Sequence, residues 1–108
     1  MVSALIHGAL ALYRARLERE LPGRLRRIVL FGSHARGEAT EDSDIDVLVV
    51  LAEATHAERA RAIGTGGMIG IELLLPMAPL GLTAAEWDNL LARQRLLVSE
   101  LSRDGIAA

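Results

Sequence analysis

Leu5, Ala9, Tyr13, Leu17 and Leu21 recur every four residues with arginines and glutamates between them. That spacing predicts an amphipathic helix over residues 2–21, ended by Pro22 and Gly23. The period then changes. Arg27-Ile28-Val29-Leu30-Phe31 is a short apolar run of β-branched and aromatic residues stopped by Gly32, which predicts a buried strand. Ile45 to Leu51, IDVLVVL, predicts a second. Asp44 and Asp46 stand two apart at its start, so the pleat places both carboxylates on one face and Ile45 and Val47 on the other. Residues 53–63 suit a short helix, and Gly64, Gly66 and Gly67 break it ahead of the apolar run Met68 to Leu75, which predicts a third strand closed by Pro76 and Pro79. Thr83 with Glu86 forms a capping box for a last helix. Its apolar stripe is Trp87, Leu90, Leu91, Val98 and Leu101, and Gly105 is placed to end it. With no internal repeat and no low-complexity linker, residues 1–108 are expected to form one α/β domain. The expected architecture is a small mixed sheet of three or four strands with helices mainly on one side.

Composition narrows the class. A chain of 108 residues, 51% apolar and 24% charged, has the balance of a globular domain. No apolar run approaches the roughly 18 to 20 residues that cross a bilayer, and the first twenty residues lack a basic leader, so a cytoplasmic location is expected and a membrane partner is not. The absence of cysteine excludes disulfides and thiolate metal sites. A net charge of −2 excludes nucleic-acid binding driven by total charge, and nucleic acid is not expected as a direct ligand. The order of charges carries more than their sum. Seven of the twelve arginines lie between Arg14 and Arg36, and Glu38, Glu41, Asp42, Asp44 and Asp46 crowd the positions that follow. The complete absence of lysine carries no functional weight.

The junction between the basic and acidic stretches, GSHARGEATEDSDID from Gly32 to Asp46, holds the candidate chemistry. Magnesium takes oxygen ligands and usually keeps one or two protein carboxylates plus substrate phosphates, which Asp44 and Asp46 on one strand face would supply. Glu72 is the one charged residue between Arg61 and Glu86. A carboxylate inside an apolar strand asks for a partner or a metal, so Glu72 is the candidate third ligand and two magnesium ions become possible; the plainer reading is a surface residue on an edge strand. Gly32 lets the backbone approach a phosphate, and Ser33 can donate to one. Arg36 either adds a charge-assisted donor or clamps the acidic loop at Glu38 to Asp42. His34 reads as loop filler, and His7 and His56 receive no role. Arg24, Arg26 and Arg27 form either a basic rim for polyphosphate or a strand edge guarded by charge. Trp87 is core or the seat of a partner.

GSHARG followed by SDID resembles the signature of the minimal nucleotidyltransferases of the DNA polymerase β superfamily. That signature is a Gly-Ser pair, an Ala-Arg-Gly step, then Ser-Asp-x-Asp entering a strand. Gly32, Ser33, Ala35, Arg36, Gly37, Ser43, Asp44 and Asp46 match it. The resemblance implies the nucleotidyltransferase fold, with Gly32, Ser33, Arg36 and Ser43 at the triphosphate of ATP and Asp44 and Asp46 on magnesium. The third acid departs from the pattern: it is commonly an aspartate on a later strand, and here only Glu72, one methylene longer, is available. The implied activity is magnesium-dependent transfer of AMP from ATP to a hydroxyl on a partner protein. The implied partner is a HEPN-type ribonuclease toxin to which the chain is the antitoxin. The alternative is an antitoxin with a weak or inactive site that neutralises its toxin by binding alone.

Overall fold

Ser3 opens the first helix by accepting the Ile6 N–H on its hydroxyl at 3.1 Å, and α1 runs Ala4–Glu20. Its buried residues are Ile6, Ala9, Leu10, Tyr13 and Leu17, a true helical stripe. Leu5, expected among them, is exposed. A strict four-residue repeat advances about 40° per step around a helix of 3.6 residues per turn, so the stripe that begins at Leu17 has rotated off Leu5. The computed structural model describes residues 2–40, 42–93 and 106–107.

After α1 come β1 (Leu25–Phe31), the short turn α2 (Ser33–Arg36), β2 (Ile45–Leu51), α3 (His56–Leu73), β3 (Met77–Thr83), α4 (Ala84–Ala92) and β4 (Ile106–Ala107). The sheet order is β3-β2-β1-β4. β1 runs antiparallel to β2 and β4, while β2 and β3 are parallel across the α3 crossover, so the sheet is mixed as expected. Ile28, Leu30, Ile45, Val47 and Val49 face α1 and α3 and form the main core. Val29, Phe31, Leu48 and Val50 face the other way, packed against Leu82, Ala84 and Trp87. The two long helices thus share one side, and α4 takes the other.

The helix expected over residues 53–63 forms, but it does not stop at the glycines. Residues 56–73 are one continuous helix, and the third strand is Met77–Thr83 rather than Met68 to Leu75. Thr55 and Glu58 form a capping box at the start of α3, the same device correctly expected at Thr83 and Glu86. The helix runs through the glycines, of which Gly66 and Gly70 are used by packing, while a Cβ at Gly64 or Gly67 would meet nothing within 4 Å. A Cβ at Gly66 would stand 2.7 Å from the Tyr13 ring, so glycine lets that ring lie on the α3 backbone while its hydroxyl donates to the Ala62 carbonyl at 2.6 Å. Burial raises the Tyr13 pKa, and the phenol stays a neutral donor. β3 lies at the sheet edge, where Pro79 is tolerated. Trp87 is partly buried, with the Arg27 guanidinium 5.6 Å from its ring centroid. Val98, Leu101 and Gly105, expected to extend and end the last helix, lie outside the described residues.

Candidate active site

β1 ends at Phe31, and the chain turns through Gly32 at φ 74°, ψ −155°, a region essentially confined to glycine. The antiparallel register puts Phe31 opposite Asp46, and the parallel register puts Ala78 of β3 on its other side. Asp46 shares its strand face with Leu48 and Val50, so its carboxylate lies on the side away from α1 and α3. Gly32 packs directly on it: a Cβ there would overlap Asp46 Oδ2. Glycine is therefore required twice, for the backbone angle and for the carboxylate beside it.

The turn that follows gathers further polar groups at the same corner. The N–H groups of Ser33, His34 and Ala35 open α2 and have no partner within it. Gly37, at φ 75°, ends it. The His34 Nε2–H donates to the Ser43 carbonyl at 3.1 Å and so ties the Gly-Ser turn to the residue preceding Asp44. Nothing in the sequence beyond its place in the motif marked His34 for this role. Ser43 Oγ accepts the Thr40 N–H at 2.9 Å, so this hydroxyl shapes the loop. Arg36 Nε pairs with Glu38 at 3.1 Å, the clamp on the acidic loop. A cavity of about 170 Å³ lined by Ser3, Ile6, His34, Gly37 and Ala39 adjoins the turn. A larger one, about 330 Å³, lies at the opposite end of the β1–β2 pair against Arg24 and Glu58, whose side chains are already joined at 2.9 Å.

Asp44 is exposed and Asp46 half-buried. Desolvation, with the neighbouring Asp44 charge adding to it, raises the Asp46 pKa above the usual aspartate range, and His34 and Arg36 oppose the rise. The corner thus holds negative charge that its own cations do not fully offset. Two carboxylates with oxygen donors only, one of them destabilised as an anion, fit a hard divalent cation such as magnesium.

Glu72 does not join them. It lies near the end of α3, where Arg16 of α1 donates to both its oxygens, and this guanidinium holds its carboxyl below the usual glutamate range. The expected third ligand is a surface helix residue already neutralised by its own partner. β3, the strand beside Asp46, carries no acidic residue. Among the described residues no group of three or more His, Cys, Asp or Glu could hold a metal.

The sequence profile of the nucleotidyltransferase domain matches residues 11–82. The chain belongs to the nucleotidyltransferase domain family. Two relatives from Methanocaldococcus jannaschii, both provisionally named protein adenylyltransferases, are 56% identical over 34 residues and 34% identical over 61 residues. These matches cover 32% and 56% of this chain, and 34% and 62% of the relatives, less than two thirds of either. A solved structure described as a minimal nucleotidyltransferase is 26% identical with a TM-score of 0.65, over 98% of this chain and 95% of that one. A chain of a toxin–antitoxin crystal structure with AMP-PNP is 20% identical, with a TM-score of 0.57 over 89% of this chain and 69% of that one. A chain from the complex of a tri-AMPylated Shewanella oneidensis HEPN toxin with its MNT antitoxin is 18% identical, with a TM-score of 0.54 over 95% and 70%. For the last two the likeness is one of fold.

Proposed function

We propose that this nucleotidyltransferase-family chain binds ATP with magnesium at the Gly32–Asp46 corner and transfers AMP to a hydroxyl on a partner protein, acting as antitoxin to a HEPN-type toxin in the cytoplasm. The observation that carries the reading is the fit of Gly32 against the Asp46 carboxylate, which sets a phosphate-accessible backbone beside two acids. Gly32 and Ser33 take the triphosphate, with Arg36 beside them and Ser43 holding the loop through Thr40. Asp44 and Asp46 hold the metal, with phosphate oxygens completing its shell. Bound magnesium supplies charge neutralisation at the triphosphate and the leaving pyrophosphate. In the transfer, the acceptor oxygen forms a bond to the α-phosphorus, the bond from that phosphorus to the oxygen bridging to the β-phosphorus breaks, and the hydroxyl proton passes to water. The partner is expected to complete the acceptor site, since a domain of this size has little room for an acceptor pocket of its own.

Among the described residues no third acid joins Asp44 and Asp46, which favours the second reading, in which the site binds nucleotide weakly and neutralisation of the toxin rests on contact alone. One variant separates the two. ATP labelled at the α-phosphate, incubated with a purified HEPN-type partner, should label that partner with the wild-type chain and not with the Asp44→Ala, Asp46→Ala double variant. Equal labelling by both refutes the enzyme reading. Neutralisation by the double variant, with labelling lost, supports the binding-only antitoxin.

A further inference from the structure

The charges of α3 are all spoken for at its flanks. Glu58 pairs with Arg24, Arg59 with Glu86, Arg61 with Glu20 and Glu72 with Arg16. What remains outward is an uncharged stripe whose last turn and end are large and apolar: Met68, Ile71 and Leu74 are 54%, 70% and 89% exposed. Leu74 is the clearest anomaly. It caps α3 at φ 56°, ψ 46°, a left-handed conformation that favours glycine, so a bulky apolar side chain is held in water on a strained backbone. Such an outlier points to a role outside the isolated fold.

The first half of the stripe is small. Ala57, Ala60 and Gly64 are exposed, and a Cβ at Gly64 or Gly67 would meet nothing within 4 Å. Small and large positions are mirror-related about the middle of the helix. An antiparallel copy of α3 centred between Thr65 and Gly66 sets Leu74 over Ala57, Ile71 over Ala60 and Gly67 over Gly64, so two of the three bulky residues meet small ones, Met68 meets the apolar Ile63, and the backbones approach at the glycines. The flank agrees in charge. Arg61 and Glu72 lie on the same side of the stripe, and a two-fold axis perpendicular to the helices keeps that side aligned, bringing Arg61 of one copy alongside Glu72 of the next. Arg61 is the freer of the two, its side chain 66% exposed and its contact with Glu20 loose at 3.6 Å; Glu72, 46% exposed and held by Arg16, would share its carboxylate between the two arginines.

We propose that the outer face of α3 is a self-complementary docking surface for a second copy of this chain, paired antiparallel about a two-fold axis at Thr65 and Gly66. Because α3 covers the sheet face opposite Asp46, the pair carries its two carboxylate corners outward on opposite sides, both open. The surface does not depend on the nucleotide reading. An 18-residue helix is about 27 Å long and buries less than the roughly 800 Å² per partner of a standard interface. The pairing is therefore expected to be reversible, with a Kd on the order of 10 to 100 μM.

Sedimentation of the full chain from about 5 to 500 μM should show a monomer–dimer equilibrium. Gly64→Arg, at an open position, should keep the wild-type circular dichroism and weaken the dimer by about tenfold or more. Register is read separately by disulfides, since the chain has no cysteine. Under oxidation, a mixture of Ala60→Cys and Ile71→Cys chains should cross-link, and Ala60→Cys alone should not. A chain monomeric throughout, a dimer indifferent to Gly64→Arg, or cross-linking of Ala60→Cys alone equal to the mixture overturns the proposal. In the first case the face belongs to a different protein.

Discussion

Gly32→Ala tests the candidate site where fold and chemistry meet. At φ 74° and ψ −155° a non-glycine residue costs on the order of 1 to 3 kcal/mol in backbone strain. The new methyl also overlaps Asp46 Oδ2, and overpacking of this kind costs about 1 to 3 kcal/mol. The Asp46 side chain is half-buried and can swing away, so the overlap should settle toward the low end, for a total of about 2 to 4 kcal/mol. Against a typical domain stability of 5 to 15 kcal/mol, the variant should stay folded. Its Tm should fall by roughly 10 to 30 °C, at about 4 to 8 °C per kcal/mol for a domain near this size. Asp46 leaves its place in relieving the clash, so stabilisation by magnesium and ATP should vanish as well. A double-mutant cycle separates the two costs. Asp46→Ala in the Gly32→Ala background removes the overlap but not the strain, so the two substitutions should couple by about 1 kcal/mol, with the second partly rescuing the first. Thermal and denaturant unfolding with and without magnesium-ATP measure every term. A Gly32→Ala chain within about 0.5 kcal/mol of wild type that still gains stability from magnesium-ATP would refute the reasoning, and so would additive substitutions.

The other predictions concern the carboxylates. The Asp46 pKa is raised in the fold, so the folded state binds more protons than the unfolded one across the interval between the two values. This group's contribution is therefore best below its unfolded pKa and is lost as pH rises through the folded one. Asp46→Asn should flatten that slope and stabilise the unliganded chain at neutral pH by on the order of 0.5 kcal/mol, allowing for solvent screening; a destabilised Asn variant in urea titrations at pH 4 and pH 7 contradicts it. Glu72→Gln breaks only the Arg16 pair at the surface, so magnesium-ATP should stabilise this variant as it does the wild type, and a loss of that effect in thermal melts would return Glu72 to the metal site.

Reading the chain by pattern worked where a segment's own residues decide its structure. IVLF and IDVLVVL are strands because apolar β-branched runs bury on both faces here, one face under the long helices and the other under α4. The Gly-Ser turn was legible for the same reason: a positive φ is a local requirement. Of the aspartate pair only Asp46 stands in β2, with Asp44 just ahead of the strand, so the shared pleat face expected for the two carboxylates is not set by the strand itself. The helix expected over residues 53–63 is the first half of α3, but the run from Met68 to Leu75 was misread because its structure is decided elsewhere. Gly64, Gly66, Gly67 and Gly70 count against a helix on propensity, and the apolar run after them suits a strand or a buried helix equally. What tips the balance is Tyr13, some fifty residues earlier, whose ring needs a bare backbone to lie on. The Thr55–Glu58 capping box marks where that helix starts but says nothing of where it ends.

That misreading carried Glu72 with it. In a strand between apolar neighbours, its carboxylate would have been a buried charge in want of a metal. On the last turn of an exposed helix it is a surface charge satisfied by one arginine, and nothing about it calls for a cation. Two protein carboxylates leave most of an octahedral magnesium shell to water and phosphate, so metal and triphosphate should depend on each other at this corner. The order of charges along the chain then has a physical sense. Arg36 pairs with Glu38 on a short loop that His34 ties to Ser43, and on the proposed reading that loop sets the distance between Gly32 at the phosphate and Asp44 and Asp46 at the metal.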